Sequence, residues 1–210
     1  VKAAQGDMNT FVREAANEID GAIDVITRDL AIDCFLDGTG VRGVIGSVTD
    51  TVVTLATPED IVNFEVGQLL QAAATATGST YSSTTECPTV TAVDRDAGTI
   101  TLSDDVDSYL GTAWSSGDFL FTYGDAPNGG ANQKITGLAA YLPSSAPGAT
   151  LFHGVNRSVD TTRLGGIRYD GTSETLEEAL IGAAVRASRE GASPDICIWN
   201  HTHTGELIKS

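Results

Sequence analysis

Three histidines, three cysteines and a glycine-rich knot are the parts of this 210-residue chain whose types and spacing could support chemistry. The knot is Phe35-Leu36-Asp37-Gly38-Thr39-Gly40-Val41-Arg42-Gly43, with a G-x-G-x-x-G string at Gly38, Gly40 and Gly43. A dinucleotide pyrophosphate needs a strand before such glycines and a helix N-terminus after them. Here a helical pattern precedes them and a β-branched run, Val48 to Leu55, follows. The glycines are therefore read as the end of a helix and a turn, with Gly38 as the stop.

The remaining candidates are thinner. His201-Thr202-His203 would put two imidazoles on one face of a strand, but the segment reads as a loop entering a helix. No third ligand is spaced nearby, and zinc needs three or four. His153 stands alone in Phe152-His153-Gly154 and is read as a structural hydrogen-bonding residue. Asp104-Asp105-x-Asp107 lacks the spaced ligands, central Gly and terminal Glu of an EF-hand loop and is read as a solvated turn. Glu177 and Glu178 sit in a first helical turn, where carboxylates complement the dipole. No G-x-S-x-G elbow occurs. Cys34, Cys87 and Cys197 are odd in number and far apart, which argues against a disulfide framework. Cys34 and Cys197 are read as small core residues among apolar neighbours. The expectation is no catalytic residue, no cofactor-binding residue, no metal ligand, no cofactor and no enzyme activity.

Composition narrows the partners. The net charge of -16, with only 12 Lys and Arg, excludes general binding to nucleic acid or anionic membrane, because phosphate neutralisation needs cations. No apolar run approaches the roughly 20 residues of a membrane span. The first residues, Val1 to Gly6, lack the apolar stretch of a signal peptide. The chain begins without Met and stops in what reads as a helix under way, so it is taken as a piece of something longer. Asn156-Arg157-Ser158 and Asn200-His201-Thr202 match the glycosylation sequon by chance.

Three segments are expected from periodicity. In 1–45, a long helix spans about Asp7 to Phe35, with Met8, Phe11, Val12, Ala15, Ile19, Ala22, Ile23, Ile26 and Leu30 on one stripe and Asp7 as N-cap. Segment 46–134 holds twelve acidic and two basic residues and short Thr/Val-rich runs. Val52–Leu55, Leu69–Ala73, Thr89–Val93, Thr99–Leu102 and Phe119–Tyr123 read as strands of a small antiparallel barrel. Asp94–Gly98 is their hairpin loop. In 135–210, Arg157 to Gly171 reads as extended, and Thr175 with Glu178 forms a capping box for a helix through Arg189. That helix carries Leu176, Leu180, Ala183, Ala184 and Ala187 inward and closes at Gly191. Asp195–Trp199 reads as a buried strand, and a short helix starts near Thr202. The fold class is α+β, with an α/β layer after the barrel.

The order of these pieces resembles the major capsid proteins of tailed phages with the HK97-type fold. The long helix ending in Phe35-Leu36-Asp37-Gly38-Thr39-Gly40 resembles that family's spine helix and its Gly-rich turn. Gly137-Leu138-Ala139, Val155-Asn156-Arg157-Ser158 and Arg163-Leu164-Gly165-Gly166-Ile167-Arg168 carry a second part of the likeness. Thr175 to Lys209 carries a third; Asn200 to Leu207 stands where the family often has Asn-Pro-x-x-x-x-x-Leu, without the proline. The resemblance implies a portion of an HK97-like capsid core with the barrel inserted as a surface domain. It implies a bacteriophage head subunit that self-assembles with copies of itself, as hexamers and pentamers, into an icosahedral shell enclosing DNA non-specifically. Scaffolding and portal proteins are the implied further partners, no membrane is involved, and the implied place is the virion, assembled in the host cytoplasm. Some members cross-link Lys to Asn; Lys2, Lys134 and Lys209 match no motif for that.

Two alternatives stand beside this reading. An encapsulin-like nanocompartment shares the fold as a cellular container. A carbohydrate- or receptor-binding β module on an α/β scaffold would expose Tyr81, Tyr109 and Trp114 as a binding face. The competing expectation is that those aromatics fill the barrel, because small barrels need bulky interior side chains.

Overall fold

The computed structural model describes residues 8–78, 87–106, 113–127, 132–199 and 201–209, with side chains from residue 13 in the first helix and residue 203 in the last. It is an α+β protein whose chain divides into two compact units, Val1–Ala140 and Tyr141–Ser210.

The first unit opens with α1, Met8–Phe35, whose 28 residues make a rod of about 42 Å at 1.5 Å per residue. This is the helix its 3.6 periodicity predicts; Asp7, its expected cap, lies outside the described residues. Gly38 and Gly40 then take φ of +91° and +82°, which side chains with a Cβ resist. Gly43 belongs to a strand, and a Cβ there would press on the Phe64 ring at 3.2 Å. The three glycines of the knot thus serve a turn and a close approach.

Six antiparallel strands follow: β1 (Val41–Thr49), β2 (Val52–Leu55), β3 (Leu70–Ala73), β4 (Val90–Asp94), β5 (Thr99–Leu102) and β6 (Phe119–Thr122). Their order is β3-β6-β1-β2-β5-β4. The two edges meet through a Leu69–Thr89 bridge, with Val90 N donating to Gln68 O at 2.8 Å and Leu70 N to Pro88 O at 3.0 Å. The sheet therefore closes at the start of β3 and β4.

Strand β1 makes that possible. Its register shifts once against β6, between Val41 and Gly43, and once against β2, between Ile45 and Ser47. Each bulge adds twist, so one nine-residue strand can serve both halves of the barrel. Sequence reasoning has a turn through Gly43 and a β-branched run only from Val48; the sheet instead begins at Val41, because bulges hide period-two alternation. Inside lie Ile45, Val53, Leu55, Phe64, Leu70, Ile100 and Leu120 together with Trp114, which is 2% exposed. Each such side chain contributes about 1.5–3 kcal/mol by leaving water. Trp114 is therefore core, as one expectation had it; Tyr81 and Tyr109 lie outside the described residues. The Asp94–Gly98 loop forms as expected, with Asp94 Oδ1 accepting from the N–H groups of Asp96 and Ala97 at 3.0 Å.

The chain continues through α2 (Leu138–Tyr141), a two-residue hairpin pair β7 (Leu151–Phe152) and β8 (Val155–Asn156), α3 (Leu176–Arg189) and α4 (His201–Lys209). Thr175 and Glu178 do form the reciprocal capping box of α3, and Gly191 follows it with φ +84°. Other expectations here fail. Arg157–Gly171 is a 3-10 turn at Arg157–Val159 with a bend and turn through residue 165, and only 166–171 is free of turns as an extended run would be. Asp195–Trp199 is neither strand nor buried, with Ile196 78% exposed. A strand needs a neighbour to take its hydrogen bonds, and the only paired strands described in this unit are β7 and β8. Cys34 and Cys197 are exposed, not core: Cys34 sits on the exposed apolar side of α1 and Cys197 in a segment without regular structure. The intended inner face of α3 is at best half-buried.

Two measurements follow. Trp114→Ala should lower barrel stability by about 3–5 kcal/mol in denaturant unfolding, whereas Val62→Ala, on an exposed turn, should change it by less than about 0.5 kcal/mol. Glu178 accepts the Thr175 N–H and hydroxyl, which pulls its carboxyl below the ordinary value of 4.5. A carboxyl lowered by folding contributes fully above its unfolded value, and that contribution fades as pH falls through the folded one. Protection of the α3 N-terminal amides from exchange should therefore decline on acidification below the ordinary carboxylate range, and Glu178→Gln should flatten that decline.

Candidate functional site

Two features of the first unit stand out: a charged junction between α1 and the barrel, and the helix face that this junction leaves in solvent. The junction is built on a bulge. Arg42 is the extra residue of β1 against β6, so it leaves the ladder, while Asn63 Nδ2 takes up its carbonyl at 2.8 Å. Its guanidinium is directed at the C-terminal turns of α1, where Asp29 and Asp33 share a face at i, i+4 spacing. Arg42 Nη1 lies 3.1 Å from Asp33 Oδ1, and Nη2 lies 3.9 Å from Asp29 and 3.7 Å from Asp125, just beyond β6. Lys134, on the chain returning from the barrel, reaches Asp33 Oδ2 at 3.4 Å and Asp125 Oδ2 at 3.0 Å.

Three carboxylates thus surround two cations, with Arg42 only 2% exposed. The two Arg42 nitrogens and Asp33 Oδ1 lack aligned hydrogen-bond geometry, so charge rather than direction holds them. Buried charges of this kind contribute little net stability when complete and cost much when one is removed. A second set reinforces the first: Glu65 takes both Arg28 of α1 and Arg95 of the β4–β5 turn, the latter at 3.4 Å. Gly137 closes the junction, because a Cβ there would strike the carbonyls of Asp33 and Cys34 in α1 and of Leu36 just beyond it. Chain entry at Gly38–Val41 and chain return at Lys134–Gly137 therefore meet at one helix end.

Only the C-terminal turns of α1 engage the barrel, through Arg28, Asp29 and Asp33; along the preceding turns the apolar stripe stays outside. Ile19, Ile23, Ile26 and Leu30, at i, i+4, i+7 and i+11, are each 52–66% exposed. Exposed Glu18 flanks them on one side and exposed Asp20 and Asp24 on the other. Soluble domains rarely leave so regular an apolar row uncovered unless something binds it. The second unit is equally short of cover: Gly165 is its one buried residue among those described.

The residues that sequence had weighed for chemistry are dispersed. His203 pairs with Glu206 at 3.0 Å on α4, and the side chain of His201 lies outside the described residues. His153, at φ +48°, is the first residue of the β7–β8 turn, and its ring stacks on Tyr141 with centroids 6.0 Å apart. Asp104 accepts from Ser103 Oγ at 2.7 Å, and Asp107 lies outside the described residues. Among the described residues no group of three or more His, Cys, Asp or Glu is arranged to hold a metal ion, and no helix is long and apolar enough to cross a membrane. Sequence reasoning missed Arg42, Asp33, Asp125 and Lys134. One signal was legible: Asp29 and Asp33 break the apolar side of an otherwise amphipathic helix, beside an arginine in a β-branched run.

No protein-family model, curated protein or solved structure matches this chain.

Arg42→Ala should lower stability by about 3–5 kcal/mol, because buried Asp33 would lose its nearer cation and keep only Lys134 at 3.4 Å. Arg42→Met combined with Asp33→Asn should lose less than Arg42→Ala alone, since Lys134 still neutralises Asp125. Denaturant midpoints of the three proteins check both statements.

Proposed function

We propose that this protein is a structural shell subunit, the major capsid protein of a tailed bacteriophage with an HK97-like core and an inserted β-barrel. It would assemble with its own copies into an icosahedral head and act in the virion. The observation that carries this reading is the uncovered stripe Ile19-Ile23-Ile26-Leu30 on a 28-residue helix. A rod whose apolar side is left in solvent is a strut waiting for neighbours, not the wall of a catalytic pocket. The near absence of buried residues in the second unit points the same way, since a unit without a core gains stability by covering its faces in an assembly.

Charge supports the reading from another side. Segment 46–134 carries twelve acidic residues against two basic ones, and such a surface repels phosphate rather than trapping it. A container for DNA benefits from walls that do not hold its contents. The carbohydrate-binding alternative loses one of its three aromatics, because Trp114 is inside the barrel.

Sedimentation and electron microscopy of the full-length protein test the proposal: large closed particles are expected, and a stable monomer at high concentration overturns it. Ile23→Asp with Ile26→Asp should abolish particles while shifting barrel stability by less than about 0.5 kcal/mol, since neither side chain is in the core.

A further inference from the structure

The stripe on α1 has acidic borders, and this restricts what can cover it. Two copies meeting stripe to stripe would bring Glu18, Asp20 and Asp24 of each against the other, and like charges set face to face oppose association. The occupant must combine an apolar surface with a cationic border. One region of this chain has that character. Residues 141–169 carry three arginines and a single acid, Asp160, within a protein of net charge -16.

That region also presents a built apolar surface. Tyr141, Phe152, His153, Val155, Arg157 and Leu164 line a concavity of about 340 Å³ beside the β7–β8 hairpin. Tyr141 meets Phe152 edge to face at 5.1 Å, and the Arg157 guanidinium lies 3.9 Å over the Phe152 ring. Aromatic side chains braced by arginine are the usual anchors of protein interfaces, because they offer large rigid contact area at small entropic loss. Leu151 and Val155 stand exposed at its edge, and Arg163 is 85% exposed.

We infer that the α1 stripe of one copy docks on the hairpin concavity of a second copy, its acidic borders facing Arg157 and Arg163. The contact is heterologous: two different surfaces meet, each copy keeps one of each free, and repetition generates rings when the rotation closes. This deepens the shell reading, on which it rests, by naming the two surfaces that join.

The contact is tested in the full-length protein with Cys34, Cys87 and Cys197 replaced by Ser. Ile23→Cys and Val155→Cys proteins, mixed and gently oxidised, should give a disulfide-linked heterodimer well above the homodimers either forms alone. Dominant Ile23→Cys homodimers, or a cross-link formed only inside one chain of the doubly substituted protein at high dilution, would overturn it. Charge exchange supplies a second readout. Asp20→Arg or Arg163→Asp alone should weaken self-association about tenfold, and both in one chain should restore most of it; additive loss overturns the pairing. Particles that form normally without this cross-link refute the contact but leave the shell standing. A protein that never self-associates refutes both.

Discussion

The fold depends on the burial of Arg42 against the end of α1. That single guanidinium, displaced from its strand by a bulge, draws on Asp29 and Asp33 of the helix and on Asp125 beyond the last barrel strand. Lys134 then ties the returning chain to two of the same carboxylates. Each ion alone would be costly to remove from water; together they offset one another only in one arrangement. The junction consequently acts on specificity. It fixes how the end of α1 meets the barrel, and the turns before that end stand clear of the contact.

That anchorage at one end leaves the preceding turns of α1 exposed. An amphipathic helix ordinarily buries its apolar stripe and exposes its charged side. Here the buried contacts at the C-terminal half of α1 are ionic, and Ile19, Ile23, Ile26 and Leu30 remain in solvent. Cys34 follows the same face and is exposed with them. The second unit repeats the pattern with Ile196, Ile198, Ile181 and Val185. Soluble domains seldom leave apolar rows of this kind uncovered unless something binds them.

Much of the architecture was legible in the residues. The helix from Met8 to Phe35, the strand at Thr99–Leu102, the Asp94–Gly98 turn and the α3 capping box all follow from local rules whose partners lie within a few residues. What escaped needed distant partners. Strand β1 was masked by two bulges that disrupt its alternation. The burial of Arg42 was invisible because its counter-charges come from two stretches of chain more than ninety residues apart. Asp195–Trp199 has the composition of a strand, yet strand formation is a property of pairs, and composition cannot supply the neighbour. Cys34 and Cys197 illustrate the same limit: apolar surroundings in sequence show that a face seeks cover, not that the monomer provides it.

The meeting of both barrel connections at one end of α1 has a consequence for variation. Because the chain departs through Gly40 and comes back through Gly137 to the same anchorage, the barrel hangs from the rod like a bead on a clasp. Its turns can lengthen, shorten or be exchanged for foreign peptides without altering the length or path of the rod. Diversity in the outlying module is thereby insulated from the geometry of the rod, and the clasp itself is where substitutions will be tolerated least.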